Sequence, residues 1–146
     1  MYARINLAQT NYDSNSIDID ARLITDISKK TCLELESIYD QYCKYKQFPS
    51  VMPLFFEEYR FPQSDVFGYY DDSKLVAFTL MFRYNSANLA ANQFAWNYEN
   101  PKLRLGMKSL EWICSYYKKL KFEYIYLGDA ARYKQHLQGF EILGPR

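Results

Sequence analysis

Residues 74 to 85, KLVAFTLMFRYN, are apolar at consecutive positions from Leu75 to Phe82, broken only by Thr79. A β-strand sends successive side chains to opposite faces, so a strand apolar at odd and even positions must be covered on both sides. This excludes a sheet with one wet face and calls for helices above and below. The tract "DVFGYY" at 65–70 precedes the run across "DDS", a turn-forming stretch, and predicts a hairpin. "NLAANQFAWNY" at 88–98 reads as a third strand beside it.

The helices are legible on either side of this block. "TCLE" at 31–34 has the form of a capping box, in which the Thr31 hydroxyl and Glu34 carboxylate satisfy first-turn amides. Leu35, Ile38, Tyr39 and Tyr42 follow at helical spacing and predict a helix over 32–46. A short second helix is expected within "FPSVMPLFFEEYRFP", from Ser50 to before Pro62. From Leu105 to Lys121 an apolar stripe of Met107, Leu110, Cys114 and Tyr117, widened by Ile113 and Leu120, predicts an amphipathic helix. "YIYLG" at 124–128 is a short buried strand, "AARYKQHLQ" a last short helix and "FEILG" a terminal strand. Residues 1–8 form a first strand, and "QTNYDSNS" after it a loop. The order β–α–α–β–β–β–α–β–α–β predicts one α/β domain over 1–146, a mixed but mostly antiparallel central sheet with helices on both faces.

Charge and cysteine content narrow the function classes. A net charge of +1 gives no global basic field for DNA or an anionic membrane. No apolar run approaches the roughly 18 residues of a membrane span. The three cysteines hold no CxxC pair, and Cys32 and Cys43 on one helix would be about 16 Å apart, too far for a disulfide. Reduced thiols and a cytoplasmic setting are expected. A single histidine, His136, argues against a metal site and is read as surface rather than catalytic.

"KLRLGMKSLEW" poses the main functional question, because Gly106 opens a helix between Arg104 and Lys108. A glycine there either lets the helix pack closely or lets a phosphate approach the unpaired first-turn amides. Lys102, Arg104 and Lys108 cluster at this end, and Lys118, Lys119 and Lys121 at the other, about 20 Å away at 1.5 Å per residue. Glu57 and Glu58 form a paired-carboxylate candidate for substrate binding, and Lys134 a candidate partner for a carboxylate or phosphate.

The element order is similar to the GCN5-related N-acetyltransferase (GNAT) fold. Residues 94–143 further resemble the C-terminal half of arginyl-tRNA–protein transferases. The resemblance rests on the "YENP" turn before "RLG", Glu111–Trp112 in mid-helix, the "YIYLG" strand, and "YK" before the terminal "EIL". It implies an acyltransferase moving an acyl or aminoacyl group from acyl-CoA (acetyl-CoA) or an aminoacyl-tRNA to an amine, on a small molecule or a protein N-terminus. Arg104, Leu105, Gly106, Met107 and Lys108 would hold the donor's phosphates. Backbone at Phe94, Ala95 and Trp96 would hold its carbonyl. Asp129 would accept a proton or hold the amine, and Tyr126 and Tyr133 would donate protons. The near-neutral charge favours a small donor over tRNA. Leu103 and Lys108 stand where the fold's phosphate signature has Gln/Arg and a small residue, so the alternative is a binding or assembly protein of the same fold without catalysis.

Overall fold

The computed structural model describes residues 2–13, 17–47, 56–129 and 132–144. Seven strands form one sheet: β1 (Tyr2–Asn6), β2 (Asp20–Leu23), β3 (Ser64–Asp71), β4 (Lys74–Arg83), β5 (Asn88–Trp96), β6 (Tyr124–Asp129) and β7 (Phe140–Leu143). Their spatial order is β2-β3-β4-β5-β6-β1-β7, antiparallel throughout except that β5 and β6 run parallel. Helix α1 (Lys29–Lys46) and helix α2 (Leu105–Lys119) lie on opposite faces.

The sheet is built outward from β4. Asp72 and Ser73 both take positive φ (51° and 67°), as a two-residue hairpin turn matched to strand twist requires. On one side Phe78 and Leu80 pack with Cys32, Leu35 and Ile38 of α1. On the other, Ala77 and Met81 join Ile113, Cys114 and Tyr117 of α2. Fully burying a side chain of the Leu or Phe class contributes about 1.5–3 kcal/mol, so this doubly covered strand is a large share of the stabilising burial. The inward stripe of α2 is Leu105, Ser109, Ile113, Cys114 and Tyr117. Leu120, expected on that stripe, lies beyond the helix end and is 54% exposed. The Tyr117 hydroxyl donates to Asp65 at 2.7 Å, and Asp65 pairs with Arg83 at 3.1 Å. Burial, with the carboxylate beside it, holds that phenol well above its ordinary range.

Three local expectations change. Helix α1 begins earlier than the predicted box, because Ser28 is its cap and accepts from the Thr31 amide at 3.1 Å. Thr31 is thereby moved inside the first turn. Of the second predicted helix, residues 48–55 lie outside the described residues, and 56–60 form a 3-10 turn. Strand β2 was not expected; it is a short edge strand whose exposure alternates.

The placement of β1 is the larger surprise. The first strand of the chain lies between β6 and β7, antiparallel to both. Gly139 sets the turn into β7 at φ 71° and sends its carbonyl to the Asn6 amide at 2.8 Å. A Cβ there would lie 2.3 Å from the Asn6 carbonyl oxygen. Gly139→Ala should therefore destabilise the fold by about 1–3 kcal/mol, read as a lower urea midpoint at unchanged slope. A midpoint equal to wild type would contradict the β1–β7 packing.

Candidate functional site

Strands β5 and β6 pair only from Asn88–Ala90 to Tyr124–Tyr126. Immediately beyond, β5 bulges: Leu80 of β4 faces Gln93, the next residue Met81 faces Ala91, and Asn92 is extra. A bulge bends its strand and locally ends regular pairing. The sheet thus opens between β5 and β6, and a cleft of about 250 Å³ lies in the opening. Thr79 and Ser109 lie in its floor, Tyr42, Phe94, Leu110 and Leu127 wall it, and Gly106 and Lys134 also line it.

Gly106 belongs to the first turn of α2. Arg104, in the left-handed conformation (φ 51°), ends the 3-10 turn Pro101–Leu103 and caps α2 without a side-chain hydrogen bond. The Met107 and Lys108 amides both go to the Arg104 carbonyl, at 3.2 and 3.0 Å. By their place in that turn the amides of Leu105 and Gly106 have no intrahelical acceptor. A Cβ built on Gly106 would meet nothing within 4 Å, and its φ is not in the left-handed region. Neither helix packing nor backbone conformation requires this glycine. What remains is room for something else at the turn.

The cleft floor is polar while much of its wall is not. The Tyr69 hydroxyl lies 2.8 Å from that of Thr79, and Ser109 hydrogen-bonds the same phenol. Tyr69 is wholly buried, and desolvation keeps its hydroxyl protonated far above the ordinary phenol range. At the outer edge Tyr42 meets Phe94 edge-on at 6.3 Å and stacks with Tyr98 at 6.0 Å. Tyr98 in turn stacks on Tyr45 at 3.8 Å and lies 4.2 Å from Trp96.

Gly106, Phe94 and Lys134, expected at the site from sequence, are brought together here. Arg104 is exposed at the helix start; Met107 and Lys108 are half-buried there, with Lys108 Nζ 4.0 Å from Glu111. Leu105 is fully buried, so its amide rather than its side chain can face a ligand. Ala95 packs in the α1 cluster and Trp96 in the α2 cluster. The bulged backbone is 91–93, and of the expected 94–96 Phe94 lines the cleft beside it. Tyr126 faces away from α2, lining a separate cavity, and accepts a hydrogen bond from Arg4 at 3.4 Å. Asp129 ends β6, its backbone opposite Tyr2; its side chain and that of Tyr133 lie outside the described residues. Glu57 and Glu58 sit in the 3-10 turn before β3 and do not line the cleft. His136 is exposed in the 3-10 turn Arg132–His136. Lys118 donates to the Thr10 carbonyl, which engages one member of the distal basic cluster.

The cleft-lining residues not expected at a site from sequence are Tyr42, Thr79, Ala91, Asn92, Gln93, Ser109, Leu110 and Leu127. Two carried a signal: Thr79 is the polar break in the apolar strand, and Ser109 is a hydroxyl on the buried stripe of α2. Cys114 is enclosed in the core, and burial pushes its thiol up to about 12, which removes it as a nucleophile. Among the described residues no cluster of His, Cys, Asp and Glu could hold a metal, and no helix is long and apolar enough to cross a membrane.

The fold as a whole is shared with solved structures. L-PGS from Bacillus licheniformis superposes with a TM-score of 0.68 at 14% identity, over 88% of this chain and 46% of that one. A GCN5-related N-acetyltransferase from Kribbella flavida gives 0.59 at 11% identity, over 96% and 52%. The fold is that of the GNAT enzymes. Saccharomyces cerevisiae N-myristoyltransferase with bound myristoyl-CoA also matches, at 0.57 and 8% identity, over 87% and 41%. The chain spans about half the length of these GNAT-fold chains. No family model and no curated protein matches the sequence.

Because the Gly106 position is open, Gly106→Ala should leave stability unchanged or raise it by up to about 1 kcal/mol, alanine being the better helix former. Urea denaturation reads the sign. A clear loss of stability would return Gly106 to a packing role.

Proposed function

We propose that the chain is an acyltransferase that moves an acyl group from an activated donor, in the first place an acyl-coenzyme A, onto an amine. The observation that carries this reading is Gly106, a helix-start glycine with open space where its side chain would be, at the cleft where β5 and β6 part. Open amides at a helix start favour phosphate oxygens by hydrogen bonding and dipole. The Leu105 and Gly106 amides would meet the donor's pyrophosphate, with Arg104 adding charge. The bulged backbone at 91–93 is the segment to hold the donor's carbonyl. Transfer joins the amine nitrogen to the acyl carbon, breaks the carbon–sulfur bond, and moves one proton from nitrogen to sulfur. Asp129 is the proposed proton acceptor, and Tyr126 and Tyr133 the proposed donors.

An aminoacyl-tRNA donor, as the arginyltransferase likeness implies, needs several phosphate contacts on a broad basic surface. With Lys118 engaged by Thr10, the surface for it is weakened. A filter assay from about 50 to 200 mM salt should show weak tRNA binding throughout. Tight binding that falls steeply with salt, and is lost when Lys118, Lys119 and Lys121 become alanine, would reverse the preference for a small donor. A second reading, a protein that binds the donor without transfer, is favoured by Lys108. That residue fills the signature's last small position and pairs with Glu111.

Titration with coenzyme A and acetyl-CoA tests the proposal. At a hundredfold excess over Kd the wild-type chain should gain about 2.7 kcal/mol of apparent stability. Gly106→Val should fold and show no such gain, because a branched Cβ fills the approach. Equal donor affinity in that variant would overturn the reading, and binding without product on any amine would favour the second.

A further inference from the structure

Thr79 is the polar break in the apolar run of β4, and Ser109 is a hydroxyl on the inward stripe of α2. Both are almost wholly buried, at 4% and 1% exposure, yet both line the floor of the cleft. Each meets the phenol of Tyr69, from β3, which has no exposed surface at all. A core holds such a cluster only where its hydrogen bonds are made.

The cluster has a proton to spare. Three hydroxyls bring three protons, and the two bonds to the phenol use two of them. The Tyr69 proton must be one of the two, because a buried donor left unpaired is costly. If the phenol donates to Thr79, Ser109 donates to the phenol and the Thr79 proton is left over. If it donates to Ser109, the proton left over is that of Ser109. Among the described residues neither hydroxyl has a further hydrogen-bond partner. In both arrangements the floor offers the cleft one O–H donor with a lone pair beside it.

These hydroxyls lie between the two ends of the proposed donor path. Ser109 is three residues past Gly106, about 4.5 Å along α2. Thr79 faces Phe94 across the β4–β5 ladder, two positions and about 7 Å along the strand from Asn92. In an acyl-coenzyme A, the segment between pyrophosphate and thioester is the pantetheine arm, which carries two secondary amides. An amide accepts at oxygen and donates at nitrogen, so a hydroxyl with a free proton and a lone pair can match either group. We propose that Thr79 and Ser109, set by Tyr69, are specificity-determining residues that read an amide of this arm, an assignment that rests on the acyl-coenzyme A reading. The contact comes from side chains of β4 and α2, separate from the strand backbone at 91–93. In so dry a floor a hydrogen bond to the ligand is strengthened, and a donor without the amide leaves the spare proton unpaired.

Coenzyme A, 4′-phosphopantetheine and ADP are titrated by calorimetry into the wild-type chain, into Tyr69→Phe, and into the triple variant Tyr69→Phe/Thr79→Val/Ser109→Ala. Removing all three hydroxyls together leaves no member of the cluster unpaired, so the triple variant should keep a urea midpoint at or above wild type. Its affinity for coenzyme A and for phosphopantetheine should fall at least about tenfold, the effect of one buried hydrogen bond. ADP, which keeps the pyrophosphate and lacks the arm, should bind as before. Tyr69→Phe retains both floor hydroxyls and should hold coenzyme A within about twofold of wild type. Coenzyme A binding unchanged in the triple variant, ADP weakened as much as coenzyme A, or the full loss in Tyr69→Phe alone overturns the assignment. Should the triple variant fail to fold, Thr79→Val and Ser109→Ala are read singly, and no loss of coenzyme A affinity in either is the overturning result. Failure of both coenzyme A and ADP to bind the wild-type chain instead removes the donor reading.

Discussion

The site depends on the brevity of one pairing, the three residues over which β5 and β6 meet. A central parallel pair normally satisfies its backbone donors and acceptors along its whole length. Here the extra residue Asn92 swings β5 away, and backbone that would have paired with β6 faces a cleft instead. Unpaired main chain in the middle of a sheet costs free energy when no partner arrives. That cost keeps the opening receptive to a ligand with hydrogen-bonding groups of its own.

The opening is also braced. Tyr98 takes positive φ (58°), a conformation that is uncommon for a bulky residue. Its ring is held between Tyr45, Tyr42 and Trp96, which ties the end of α1 to the exit of β5. Aromatic contacts of this kind contribute about 0.5–1.5 kcal/mol each beyond area burial, enough to offset the backbone strain. The chain then turns through Arg104, a second left-handed residue, and enters α2, whose Gly106 lines the cleft. Two strained residues therefore aim one helix.

The sheet was legible where the information is local. An apolar run on both faces, a two-residue turn and a helical stripe specify β4, its hairpin and α2 without knowledge of the rest. Gly106 was legible as a question, and the structure adds that a Cβ there meets nothing within 4 Å. Partner choice was not legible: nothing in residues 2–6 says that they lie between β6 and β7, because strand pairing is decided by contacts far apart in the chain. The bulge at Asn92 left no mark in composition either, so the opening of the sheet beside 91–93 was not expected. Thr79 and Ser109 were visible as hydroxyls among apolar neighbours. Their meaning appeared only when two elements separated by thirty positions faced Tyr69.

The insertion of β1 has a consequence for how the chain comes off the ribosome. Residues 2–6 are made well before either of their partners, 124–129 and 140–143. At typical synthesis rates the first strand waits on the order of ten seconds with both edges unpaired. Its five residues, with Arg4 among them, form a short and partly charged edge, a form that resists pairing with other chains. The β2–β5 hairpins and α1 can collapse in the meantime, since their contacts are nearly sequential. Closure of the half of the sheet that carries Tyr126 is thus a late, long-range event, and the cleft at the β5–β6 opening and the cavity on the opposite face come into being together.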